Sequence, residues 1–220
     1  MTSETLDGPR RPAAGGTADA LVVLLHGYGA DGNDLIGLGD ALGEHLPNAA
    51  FIAPNAPERC TVNPMGYQWF PIPWMDGSPE SAMAEGFARS AALLHGWLDG
   101  LAEAEGIAPA RTVLMGFSQG TMMSLEVGPR RAEPLAGIVG FSGRLIAPER
   151  LAAEAKTRPP VLLIHGDADE VVPPSSLPEA EKGLVAAGFD VTTHVSPGIG
   201  HGIAPDGLGR ALGFLKVVLP

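Results

Sequence analysis

Short, almost wholly apolar runs alternate with amphipathic stretches along most of the chain, and the runs tend to end at glycine or proline. "LVVLL" (21–25), "AAFIAP" (49–54), "RTVLMG" (111–116), "LAGIVGFSG" (135–143), "PVLLIHG" (160–166) and "DVTTHVS" (190–196) read as strands. Between and after them, residues 34–46, 78–106, 119–128, 149–156, 175–187 and 206–218 carry helical patterns. A run with no polar alternate positions is a strand covered on both faces. Strands that alternate with helices close a parallel sheet through right-handed crossovers. The expectation is an α/β fold with a mostly parallel central sheet and helices on both faces. In such sheets ligands gather beyond the carboxyl ends of the strands, so a candidate functional residue should stand just after a strand.

Residues 20–220 read as one domain, because no linker or internal repeat divides them. Residues 1–19 are polar and rich in Pro and Gly, as expected of an arm or a weak edge strand. Ser78 and Pro79 are placed to start the long third helix and Gly106 to close it. Residues 55–77 lack sustained periodicity but hold Trp69, Phe70 and Trp74, which predicts an ordered, functional loop near the site.

The net charge of −11 argues against a phosphate backbone as partner. The single cysteine, Cys60, cannot form an internal disulfide. Arg10-Arg11 is not followed by an apolar targeting segment, and "ALVVLL" is too short to cross a bilayer. A cytoplasmic protein without integral membrane association is expected.

Two serines compete for attention. "GFSQG" (116–120) places Ser118 between an apolar strand and an amphipathic helix. A sharp strand-to-helix turn there would expose its hydroxyl at the top of the sheet. Gly116 and Gly120 would let strand and helix crowd together, and the Gln119 N–H at the helix N-terminus could donate to an oxyanion. "GFSGR" (140–144) nearly repeats these words, but Arg144 replaces the second glycine and no helix follows directly. Ser142 therefore reads as a strand-end turn residue.

A serine nucleophile needs a base. Of six histidines, His201 in "GIGHGIAP" combines a Gly-rich loop, a strand-end position and a place C-terminal to Ser118. The chain order Ser, Asp, His is the one expected on this kind of sheet. Asp167 and Asp169 both follow the strand 161–165, and spacing does not separate them. Asp167 suits a turn acid bonded to its own backbone; Asp169 lies deeper in the loop and is freer to reach a histidine. Gly27, Gly29 and Gly32 match a dinucleotide fingerprint. Asp31 would repel a pyrophosphate there, and the next strand lacks a ribose-binding acid. The other reading turns the Tyr28 N–H toward the active centre as the second oxyanion donor.

"LLHGYGADGNDL", "GFSQGTMMSL", "GFSGRL", "HGDADEVVP" and "GIGHGI", in this order, resemble the carboxylesterase/acyl-protein thioesterase branch of the α/β-hydrolases. The resemblance runs from about residue 20 to the C-terminus. It implies an α/β-hydrolase fold and a serine hydrolase acting on carboxylic esters of short to medium acyl chains, with thioesters as a further class. Acyl-protein thioesterase or lysophospholipase activity is the alternative, and a non-catalytic ligand-binding member is the alternative of another class. It further implies Ser118 as nucleophile, Asp169 as acid, His201 as base, and the Tyr28 and Gln119 amides as oxyanion hole. No metal or organic cofactor is implied; the partner is a small-molecule or lipid ester, and several members of the family are homodimers. The segment "GYQWFPIPWMDG" is expected to line the acyl pocket with Trp69, Phe70 and Met75.

Overall fold

The computed structural model describes residues 6–219. The chain opens with β1 (Arg10–Arg11), β2 (Ala20–Leu25), α1 (Gly32–Gly43) and β3 (Ala49–Ile52). A small ribbon, β4 (Glu58–Arg59) and β5 (Tyr67–Gln68), precedes α2 (Pro73–Asp76) and the long α3 (Glu80–Glu105). The second half alternates β6 (Thr112–Phe117), α4 (Gln119–Arg130), β7 (Gly137–Phe141), α5 (Pro148–Glu154), β8 (Val161–Gly166), α6 (Ser176–Ala186), β9 (Val191–Ser196) and α7 (Pro205–Val218). Seven strands form one sheet in the order β1-β3-β2-β6-β7-β8-β9. Every neighbouring pair is parallel except β1 with β3, where Arg10 faces Ile52 and Arg11 faces Phe51. The polar N-terminal segment thus contributes a two-residue edge strand; residues 1–5 of the expected arm lie outside the described residues.

The period of two in each strand sorts the core. Leu21, Val23 and Leu25 join Leu94, Leu98, Met123 and Val127 on the face covered by α3 and α4. Val22 and Leu24 join Leu35, Ile36, Leu42, Ala211 and Leu215 under α1 and α7. A third cluster, with Ile138, Leu163, Leu151 and Leu184, seats α5 and α6. Leu21 through Leu25 are wholly buried. At roughly 2 kcal/mol per aliphatic side chain, these five stabilise the fold by on the order of 10 kcal/mol before entropy is counted.

Four local expectations change. The segment 55–77 is not an irregular loop: β4 and β5 pair, an isolated bridge joins Ala30 to Tyr67, and α2 follows. The first helix starts and ends earlier than its apolar pattern suggests, because Asp31 caps it with a reciprocal bond from Asp34. Ser78 does not cap α3; Pro79 is the N-cap, and the Ser78 N–H donates to Asp76 Oδ1 at 2.9 Å. The helix α4 passes through Pro129 to Arg130. Proline there costs only one donor in the last turn, and the Pro129 carbonyl accepts the N–H groups of Lys156 and Thr157.

At the middle of the sheet the chain changes direction. From β2 it crosses to β3 on one side, whereas β6 lies on the other. The carboxyl ends of β2 and β6 therefore open a crevice at a topological switch point.

Candidate active site

Ser118 is the single residue between β6 and α4. Its backbone takes φ 55° and ψ −115°, a conformation that costs a non-glycine residue about 1–3 kcal/mol. Two bonds hold it there: the Ser118 N–H donates to Phe141 O at 2.9 Å, and its carbonyl accepts from Met122 at 3.2 Å. Strand and helix cross so tightly that only glycine fits beside it. A Cβ on Gly116 would lie 2.3 Å from the Gly120 carbonyl carbon, and one on Gly120 would lie 1.8 Å from Leu25 O.

Asp169 stands in the turn after β8, its side chain fully removed from solvent. Oδ2 accepts from His201 Nδ1 at 2.8 Å, and Oδ1 accepts the N–H groups of Val171 and Val172 at 2.9 Å each. Burial pushes this carboxyl upward, but the bonds from His201 and the two amides outweigh it and hold the pKa below the usual carboxylate range. His201 rides the loop between β9 and α7, with its ring centroid 4.8 Å from that of Phe117. The Ser118 hydroxyl and the His201 ring do not share a hydrogen bond in this geometry; catalytic bonds of this kind commonly close only on substrate.

The rest of the acid loop follows from contacts that sequence reasoning did not reach. Asp167 does not bond its own turn; its Oδ1 accepts the Gly198 N–H at 2.6 Å and so pins the loop that carries His201. A Cβ on Gly166 would sit 2.1 Å from Ile199 O, so the two loops pack backbone to backbone. His165, near the end of β8, places Nε2 2.9 Å from Val172 O and 3.3 Å from Asp169 Oδ2. The signal available in the sequence was its spacing of four residues before Asp169.

Tyr28 lies in the loop after β2, and its N–H has no acceptor among the described residues. The Gln119 N–H belongs to the first turn of α4, where donors have no intrahelical partner. His26 organises the loop. It is buried and donates from Nδ1 to Gly27 O at 2.8 Å, while Nε2 accepts the Ala56 N–H at 2.9 Å. Burial lowers its pKa, which keeps the ring neutral and preserves that acceptor. Gly29, at φ +75°, donates to Tyr67 O. The Tyr28 hydroxyl donates to Asp76 Oδ2 at 3.0 Å, and its own pKa is raised, by burial first and by its bonds to Cys60 and Asp76.

Trp69 and Phe70 do not line a substrate pocket. They are 0% and 1% exposed. Phe70 packs edge-on against Phe87, and the Trp69 indole donates to His26 O at 3.0 Å. Burying both rings in the core gains more apolar contact than a half-open loop would. Their backbone faces the site instead: Gln119 Oε1 accepts the Trp69 N–H at 3.1 Å, and Gln119 Nε2 donates to Phe70 O at 2.8 Å. The aromatic segment thereby clamps the residue after Ser118. Met75 is exposed on α2 beside Trp74.

A cavity of about 530 Å³ is lined by Gly27, Tyr28, Leu35, Leu38, Ile203 and Phe117, the residue before Ser118, among others. Leu35 and Leu38 on α1 lie far from Ile203 in sequence, and periodicity marked residues 34–46 only as a helical pattern. A larger cleft of about 1080 Å³ lies between α3, α4 and α5, where none of the candidate site residues line it. The dinucleotide-like glycines also find their place. Asp31 fills the N-terminus of α1 with its own carboxylate by accepting the Asn33 N–H. Ser142 is buried at φ 47°, and its hydroxyl has no partner among the described residues.

The phospholipase/carboxylesterase family model matches residues 12–219. An acyl-protein thioesterase 1 of Gibberella zeae is 31% identical over 217 residues, covering 91% of each chain. The esterase YpfH of Escherichia coli is 29% identical over 92% of this chain and 84% of its own length. The crystal structure of esterase PE8 superposes with a TM-score of 0.93 at 47% identity, over 98% of this chain and all of that one.

Proposed function

We propose, for a chain that belongs to the phospholipase/carboxylesterase family, that Ser118, His201 and Asp169 form its catalytic triad. The protein is a hydrolytic enzyme of the carboxylesterase type with an α/β-hydrolase fold. On this reading Ser118 Oγ attacks the ester or thioester carbonyl while His201 Nε2 takes its proton. Asp169 holds the Nδ1–H tautomer and stabilises the imidazolium. The Tyr28 and Gln119 amides receive the oxyanion. The leaving group departs with the proton from His201, and water activated by the same imidazole clears the acyl-enzyme. The observation that carries the reading is the 2.8 Å Asp169–His201 pair, whose imidazole lies 4.8 Å from the ring of Phe117, the residue before a serine in a strained strand-to-helix turn.

The cavity against Tyr28, Leu35, Leu38 and Ile203 suits the apolar part of the substrate. The names of the relatives divide between esterases and acyl-protein thioesterases, so matched oxygen and thiol esters should be assayed in parallel. The same reading places the protein in the cytoplasm as a homodimer, and sedimentation velocity tests the assembly. The deciding experiment is Ser118→Ala: hydrolysis of 4-nitrophenyl acyl esters and covalent labelling by a fluorophosphonate should both vanish while the circular dichroism spectrum is retained. Loss with Ser142→Ala alone, or activity surviving Ser118→Ala, refutes the assignment.

A further inference from the structure

Arg144, the residue that spoils the second serine motif, directly follows Gly143, which packs against the backbone of Ser118. The turn that presents it is built firmly. Ser142 bonds its N–H to Ile164 O, and a Cβ on Gly143 would touch Thr121 at 2.4 Å and Ser118 O at 3.1 Å. The backbone before Arg144 is thus in contact with the nucleophile's own residue, while the Arg144 side chain runs out into solvent. Its guanidinium carbon lies 5.9 Å from the centroid of Trp74. Trp74 is on α2, and two residues later Asp76 accepts the Tyr28 hydroxyl. The short helix α2 therefore touches both the Tyr28 loop, through Asp76, and Arg144, through Trp74.

Among the described residues Arg144 forms no ion pair and no hydrogen bond, although the chain is strongly acidic. Asp76 does not neutralise it: Asp76 is occupied by Tyr28, Ile72 and Ser78. A guanidinium resting on an aromatic face, with its donors unspent and its backbone fixed, matches a planar anion bidentately.

Building on the triad assignment, we propose that Arg144 is a specificity-determining residue that binds a carboxylate carried by the substrate, so that preferred substrates are esters bearing a carboxylate on their acyl or alcohol part. The contact adds no step to the chemistry; it holds the ester across Ser118 from its far end.

The test compares matched esters by pH-stat with the wild type, Arg144→Met and Arg144→Lys. The acyl arm pairs monoethyl adipate with diethyl adipate. The alcohol arm pairs the acetate of 3-hydroxybenzoate with that of 3-hydroxybenzamide. In one arm Arg144→Met should lower the anionic-to-neutral ratio of kcat/KM at least tenfold, chiefly through KM, and Arg144→Lys should restore part of it. A ratio that moves less than twofold in both arms overturns the proposal, because the guanidinium then serves only to steady Trp74. Anionic esters left uncleaved by the wild type overturn it equally. Wild-type protein that is inert toward all four esters and unlabelled by a fluorophosphonate refutes the triad reading beneath it.

Discussion

Gly120→Ala sets two opposing effects against each other, and the structure decides which wins. Within a helix, alanine is favoured over glycine by about 1 kcal/mol. At Gly120 the new Cβ would lie 1.8 Å from Leu25 O and 2.4 Å from Leu25 C, distances that real Cβ contacts do not reach. The obstacle is strand backbone, which has no rotamer to change, so α4 and β2 must part by more than about 1 Å. Overpacking of this kind costs about 1–3 kcal/mol and sometimes more, and here it also separates the Gln119 amide from the Tyr28 loop. Because the strand backbone cannot yield, the upper end of that cost applies; less the helix gain, a net loss of about 2 kcal/mol is expected, or about 4–8 °C in Tm for a chain of this size. Gly100→Ala is the internal control: it sits in α3 with open space within 4 Å of where its Cβ would stand, and should raise Tm by about 2–4 °C. Thermal and urea unfolding of both variants, with fluorophosphonate labelling, give the measurement. Gly120→Ala as stable as the wild type, or two variants shifting in the same direction, would refute the view that backbone crowding shapes the elbow.

Asp169→Asn tests the acid. One amide oxygen cannot accept from His201 and from the Val171 and Val172 amides together, so the Asn nitrogen must face one set of donors; kcat should fall about a thousandfold or more, and a loss below tenfold counts against the triad. Acidification tests His26. Burial depresses its folded pKa, so its contribution is complete above the unfolded value of about 6.5 and is lost as pH falls through the folded one. His95 shifts the same way, by burial and by Arg131. Tm should therefore decline from pH 7.5 to 5.5, and His26→Gln should flatten that slope; an unchanged slope means that His26 does not stay neutral.

Much of this protein was legible in one dimension because its central strands are almost wholly apolar. Five of the six strands read from the sequence are central or nearly so, and burial on both faces leaves no polar alternation to confuse their period. Strand ends in turn marked Ser118, Asp169, His201 and Tyr28 as candidates, since functional groups on such a sheet follow its carboxyl edge. Reading them as neighbours needed the chain order Ser, Asp, His, which is a property of sequence. What tertiary structure alone decided are matters of direction and partner. Trp69 and Phe70 turned inward because a ring gains more from the core than from a loop surface, and the buried indole N–H found the His26 carbonyl. Asp167 bonded a loop 31 residues away, and His165 came to share the acid with His201. Arg144 disqualified one serine in the sequence, and only packing set its neighbour Gly143 against the other. A sequence records which groups a chain owns and where each strand stops; which of them meet depends on how strands far apart in the chain align, and on burial that no local pattern encodes.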